Sequence, residues 1–180
     1  MATSGLIPLV VFDVGRKLSG EEQLTGLSAN ARAVTNRIAA DTAQGHVEIY
    51  HADRRVHVEL ANGVCAEAGP VSGAVAVAEA KRGLRGELGR TPLVIRRPRF
   101  GLRLASRSAH FDAGAIHLRS HMSSPRRFVI LRGADEVVLA FDRGRTEIEV
   151  GLAPEEVVAT LLFQHCGIIQ GSSLVNLFVV

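Results

Sequence analysis

The stretch "HVEIYHADRRVHVELANG", His46–Gly63, decides the fold. Val47 and Ile49 alternate with His46, Glu48 and Tyr50, and Val56, Val58 and Leu60 alternate with His57 and Glu59. A period of two puts the apolar set on one side of a pleated strand and the polar set on the other. Asn62-Gly63 then supplies a two-residue hairpin signal, because both residues tolerate the left-handed backbone of a tight turn. The two strands are therefore predicted to be antiparallel neighbours.

Reading toward the C-terminus, the period of two persists. "GPVSGAVAVAEA" is a weak strand, "GLRGELGR" a glycine-punctuated turn, and "PLVIRR" the next strand. "SAHF", a turn at Asp112-Ala113-Gly114, "AIHLRSHM", "RRFVILRG" and "DEVVLAF" follow, the last joined through Asp142, Arg143 and Gly144 to "TEIEVGL". About nine or ten short strands at this spacing predict an antiparallel meander forming a barrel or a sandwich. The alternation stops at "APEEVVATLLFQHCG", which has proline in a first helical turn, acids beside it and glycine at its end. Val157, Val158, Leu161, Leu162 and Phe163 cover more than one helical face, so the helix is predicted to be buried nearly all round. A last apolar strand, "SSLVNLFVV", closes the chain.

Reading toward the N-terminus, "LIPLVVFDV", Leu6–Val14, is a strand whose Pro8 fits an edge position or a strand start. Between it and His46, Ser19 and Glu22 have the spacing of a capping box, and Leu24, Leu27, Ala31, Val34 and Ile38 fall on one helical face. With Gly45 as a left-handed cap, these predict an amphipathic helix over Gly20–Gln44 that lies on a sheet or forms a dimer seam. The fold class is thus mainly β (β-rich α+β), one domain over 1–180. Residues 1–45 give a strand plus an amphipathic helix, and 46–180 the meander with its buried C-terminal helix and strand.

Short strands in a meander finished by a helix that only an interior could hide, with the pieces "RRPRFGLRL", "VVLAFDRG" and "APEEVVATLLFQHCG", resemble the tubby C-terminal-like superfamily, which includes the LURP-one-related proteins and the phospholipid scramblases. The likeness runs from about His46 to the end of the chain. It implies a closed antiparallel barrel around a central apolar helix.

Charge is unevenly distributed. The net formal charge is +3, yet Lys81–Arg132 holds thirteen Lys or Arg against two acids, Glu87 and Asp112. Within it, "RRPRFGLRLASR" (Arg96–Arg107) places Phe100, Leu102 and Leu104 at every second position. If those three face a core, Arg99, Arg103 and Arg107 stand on the opposite face, spread over some 13 Å at each step of four residues. Arg97, His117, Arg119 and His121 complete the candidate anion-binding set, the last three sharing a face if Ile116 and Leu118 point inward. The alternative is a solvated face balanced by Glu48, Glu59, Glu147 and Glu149.

The sequence carries no phosphate loop, dinucleotide-binding glycines, HExxH or paired CxxC. His117 and His121 lie about 13 Å apart on a strand, too far to share a metal ion, so neither a metal nor another cofactor is expected. Cys166, beside His165 on an apolar helix, reads as a packed thiol, and with Cys65 it fits a reduced, cytoplasmic chain. No apolar run approaches the roughly 20 residues of a spanning helix, and no signal peptide is expected. The expected function is a non-enzymatic binding or scaffold module that contacts anionic lipid headgroups or an acidic partner through its arginines. The alternatives are a small hydrolase-like enzyme and a homo-oligomer built on the N-terminal helix. Nucleic acid fits less well, since stacking platforms are scarce: no Trp and one Tyr in the chain.

Overall fold

A computed structural model describes residues 5–13, 36–71, 83–96, 108–124 and 126–169. The strands are β1 (Leu6–Leu9), β2 (Val11–Asp13), β3 (Asn36–Thr42), β4 (Gly45–Ala52), β5 (Arg55–Leu60), β6 (Cys65–Gly69), β7 (Leu84–Leu88), β8 (Thr91–Arg96), β9 (His110–Ala113), β10 (Ile116–Ser124), β11 (Arg127–Arg132), β12 (Glu136–Asp142) and β13 (Arg145–Glu149). The helix is α1 (Pro154–His165).

From β3 to β13 every strand pairs antiparallel with its sequence neighbours. The two strands of His46–Gly63 pair with the register Val47↔Leu60 and Ile49↔Val58, joined by Asp53-Arg54, while Asn62-Gly63 falls in the β5–β6 connection. The two ends of this meander are brought together by a single N-terminal segment. Its first half, β1, pairs with β13 through Leu6↔Glu149 to Leu9↔Thr146, and its second half, β2, pairs with β3 through Val11↔Ala40 to Asp13↔Ile38. The segment switches partner at Val10, so the thirteen strands occupy twelve positions of a nearly closed barrel. Pro8 sits in β1, which among the described residues has β13 as its only ladder partner, so the missing N–H falls on an edge.

Twelve strands enclose more volume than side chains can fill, since about eight already give an interior just wide enough for them. The interior is filled by α1. Val157 to Phe163 are seven consecutive residues at 0% exposure, two full turns with no solvent face. Their surroundings come from all round the wall: α1 packs on β5, β6, β7 and β10, Phe163 meets Phe111 of β9 at 5.8 Å between ring centres, and Gln164 donates to Thr146 of β13 at 3.2 Å. Val58, Ile95, Phe111, Ile130, Leu139 and Ile148 face inward from six different strands.

Both ends of α1 are as the sequence implies. Pro154 opens it, Glu155 and Glu156 lie in the first turn, and the Glu156 carboxylate accepts the Ala153 N–H at 2.9 Å. Gly167 follows the C-terminus with φ +74°.

The predicted helix over Gly20–Gln44 needs correction at its C-terminal end. Residues 36–42 form β3, with Ile38↔Ile49 and Ala40↔Val47 against β4. Gly45 has φ +117° as the last residue of a β3–β4 turn, not as a helix cap. The meander thus begins ten residues before His46. Ile38 sits at a position that both a period of 3.6 and a period of two would fill, and pairing with β4 decides between them. The remainder of that predicted helix and the strand "SSLVNLFVV" lie outside the described residues.

Candidate functional site

Successive turns of an antiparallel meander fall alternately at the two ends of the barrel. The top, where α1 begins, has the turns β3–β4, β5–β6, β7–β8, β9–β10 and β11–β12. There Gln44 donates to the carbonyls of Val150 and Leu152 at 2.9 and 2.6 Å, and Arg132 reaches Glu156 at 2.7 Å and Glu136 at 2.8 Å. Those two carboxylates raise the Arg132 pKa. Glu149 closes the seam at this end, accepting the backbone N–H of Gly5 at 3.0 Å and of Gly151 at 3.3 Å.

The bottom, where α1 ends, has the turns β4–β5, β10–β11 and β12–β13. Each described bottom turn carries an arginine at its tip: Arg54, Arg126 and Arg143. Among the five top turns, Arg90 is the one basic tip residue, and Asp135 lies at another. Tip charge therefore differs between the two ends.

Two of the bottom arginines adopt an unusual backbone. Arg54 (φ +61°) and Arg143 (φ +50°), with Asp53 (φ +49°), are the non-glycine residues with positive φ among the described residues, and all three are at the bottom. The positive-φ positions of the top turns, such as Gly63, Gly89, Gly114 and Gly133, are glycine. A left-handed backbone costs a residue with a Cβ about 1–2 kcal/mol. Asn-Gly is the pair that such two-residue hairpin turns favour, whereas β12–β13 has Arg143-Gly144.

Around that turn Arg127, Arg143 and Arg145 act on one carboxylate, Asp142, with Arg126 on the neighbouring turn. Arg127 donates to Asp142 at 2.8 Å, both side chains being about half exposed. The Arg143 N–H donates to the Arg126 carbonyl at 2.8 Å, which ties the two turns together. The hydrogen bond from Arg127 holds the Asp142 carboxyl below its ordinary range, and the charges of Arg127, Arg143 and Arg145 add to that effect. This cluster was absent from the sequence-based set. Its signal was present as two arginine-rich turn flanks, "SSPRRF" and "FDRGRT", which the pairing Arg127↔Asp142 superposes.

The sequence-predicted residues are placed as follows. Arg97, Arg99, Arg103 and Arg107 lie outside the described residues, bracketed by Arg96 and His110, which pair with each other. Leu118 is buried and Ile116 half-buried, so His117, Arg119 and His121 share the outer face of β10. Arg119 stands opposite His110, and His110 opposite Arg96, giving a cross-strand row Arg96–His110–Arg119 on the barrel wall with His121 two positions along. Arg119 also donates to the Ala134 carbonyl at 2.8 Å. His117 is engaged by Asp112 at 2.9 Å, away from the row.

The acids expected to balance an arginine face are occupied elsewhere or distant from it. Glu48 pairs with Arg37, and Glu149 serves the seam. Glu59 and Glu147 are exposed on β5 and β13.

Two further groups bear on chemistry. Burial pushes the Cys166 thiol up to about 12, the state of an inert side chain, and its Sγ lies 3.1 Å from the Phe163 carbonyl. Burial, with His51 nearby, pushes His165 down to about 4. Among the described residues no group of three or more His, Cys, Asp or Glu converges on a common metal position.

No described helix is long and apolar enough to cross a membrane. The outward positions of the wall carry charges such as Arg37, Glu48, Glu67, Arg85 and Glu87, and the interior is apolar. That is the reverse of the polarity of a membrane-spanning barrel. The chain matches no protein-family model, no curated protein and no solved structure.

Proposed function

We propose that this chain is a non-enzymatic binding module that contacts anionic lipid headgroups through its arginine-rich side. The observation that carries this reading is the row Arg96–His110–Arg119 on the outer wall, with His121 beside it. The sequence between Arg96 and His110 adds Arg97, Arg99, Arg103 and Arg107. Arg119 has Asp135 as an exposed partner at 3.4 Å, and cations on one wall attract a negatively charged surface, each contributing about 1 kcal/mol close to an anionic membrane.

A nearly closed antiparallel barrel around an apolar helix supports this reading through the tubby-like resemblance, which implies a closed barrel of that kind. Headgroup contact also fits the aromatic inventory better than nucleic acid does. Phe111 and Phe128 of the basic segment are 0% and 1% exposed, so neither offers a face for a base.

Co-sedimentation with vesicles tests the reading. The wild-type chain should bind vesicles containing phosphatidylserine at low salt and release them as salt rises toward about 0.5 M, where the Debye length falls below about 5 Å. Charge reversal at Arg99, Arg103 and Arg107, or at Arg96 and Arg119, should weaken binding without unfolding. No binding by the wild-type protein at low salt would overturn the proposal.

A further inference from the structure

We propose that the four arginines of the β10–β11 and β12–β13 turns form a second anion contact, and that it stands the barrel on a lipid surface by its bottom end. This rests on the membrane reading above, but adds a site on different strands and a defined orientation.

Four observations support it. Arg127, Arg143 and Arg145 act on the single carboxylate of Asp142, and Arg126 joins the same rim through its backbone carbonyl, so four cations there face one acid, a local surplus of three positive charges. Of these, Arg126, Arg143 and Arg145 have no ion pair among the described residues and are exposed. Arg143 holds a left-handed backbone that the turn would form more easily with another residue, so the fold gives up stability to keep a cation at that tip. The third described bottom turn also carries arginine, Arg54, in a left-handed backbone.

The top end differs in sign. It presents Asp41, Asp135, Glu136, Glu155 and Glu156 against Arg90 and Arg132, whereas the described bottom turns set Asp53 and Asp142 against Arg54, Arg126, Arg127, Arg143 and Arg145. The seven residues of β12 span six steps, about 20 Å along the strand, between two and three Debye lengths at physiological salt. With the bottom seated on an anionic bilayer, the top acids are screened from it. With the top seated, they would be repelled. The field therefore selects one end, and turn tips on one rim can meet a flat surface together.

The partner is a bilayer surface with anionic headgroups, and guanidinium groups suit it because each can hold two oxygens of a phosphate or carboxylate. The cluster lies about 17 Å from the Arg119 row, five residues along β10. The row sits nearer the top of β10, beside Ala134 and Asp135 of the β11–β12 turn, so end-on seating and wall contact are alternative footprints.

Three measurements on the full chain test this, using vesicles of phosphatidylcholine with 30% phosphatidylserine as the probe (an assay composition of about that value suffices for a surface potential of tens of millivolts). First, Arg126→Glu with Arg143→Glu should weaken binding about 25-fold or more, at about fivefold for each cation lost. Second, Arg143→Asn restores the Asn-Gly pair that the turn favours. It should raise the melting midpoint by about 2–4 °C while weakening vesicle binding about fivefold. A purely structural arginine would not give those opposite signs.

Third, a fluorophore on the exposed Cys65, at the top of β6, should escape quenching by a headgroup-labelled lipid. The same label on Ser123→Cys, in a Cys65→Ser background and at the bottom of β10, should be quenched. Binding that survives the double reversal, or equal quenching at both labels, would overturn the end-on contact and leave the wall reading standing. Wild-type protein that binds RNA or heparin but no vesicle would overturn both.

Discussion

Gly86→Ala should destabilise the barrel strongly, although alanine is normally the better strand residue. Gly86 of β7 lies opposite Ala68 of β6. A Cβ built on it would lie 1.9 Å from the Glu67 carbonyl oxygen and 2.8 Å from the Ala68 Cα. Both obstacles are backbone, so no rotamer change relieves them. Restoring an ordinary contact of about 3.4 Å requires the two strands to separate or twist by more than an ångström, and overpacking of this kind costs about 1–3 kcal/mol, at times more. Against this, replacing glycine gains back about 0.5–1 kcal/mol of backbone entropy. The clash wins, with a net loss of about 2 kcal/mol and a fall in melting midpoint of about 4–8 °C for a chain of this length. Gly151→Ala is the control, since its Cβ would meet only Glu149 Oε1 at 3.6 Å, an ordinary contact. Thermal melts followed by circular dichroism compare the two. If Gly86→Ala melts at or above the wild-type midpoint, β6 and β7 do not approach as described and the helix seat they form is wrong.

Leu161→Ala, at a position with 0% exposure inside the barrel, should cost about 2–5 kcal/mol by urea unfolding; a wild-type-like midpoint would mean that α1 is not enclosed. Thr160→Val should be neutral or stabilising by up to about 1 kcal/mol, because the Thr160 hydroxyl is buried with no hydrogen-bond partner among the described residues and the replacement keeps its shape. A loss above 1 kcal/mol would show that the hydroxyl has a partner. Stability should fall as pH drops from about 6.5 toward 4, because burial keeps His165 neutral in the fold, with a pKa near 4, while the unfolded chain takes up a proton first. The slope contributed is at most about 1.4 kcal/mol per pH unit, and His165→Gln should flatten that limb of the urea-midpoint profile.

Most of the meander and its filling helix were legible because both are local patterns, although "GLRGELGR", read as a turn, holds β7. A period of two in His46–Leu60, glycine-bearing turns, and an apolar run with no polar face each specify an environment without knowledge of distant residues. The error at residues 36–44 has the opposite origin. Ile38 and Ala40 are buried by pairing with Ile49 and Val47, and in sequence they continue a stripe of three and four that reads as a helix. The split of the N-terminal segment at Val10 was equally hidden. Pro8 marks an edge, as inferred, but closure of a barrel by one segment serving both of its edges depends on where β13 and β3 come to lie.

The candidate site divides along the same line. His117, Arg119 and His121 share an outer face, as alternation in one strand requires, and Arg96 and His110 join Arg119 only through register across three strands. The bottom cluster depends on something less local still. In an antiparallel barrel, turns separated by two strands fall at one end, so arginines at Arg54, Arg126 and Arg143, scattered over ninety positions of sequence, land on one rim, while the acids of intervening turns land on the other. A window of sequence averages adjacent turns and so mixes the two ends. Counting charge by the parity of turns would have separated them. That parity also makes the proposed orientation a property of the whole meander: inserting or deleting one strand would exchange every later arginine with an acid at the opposite end.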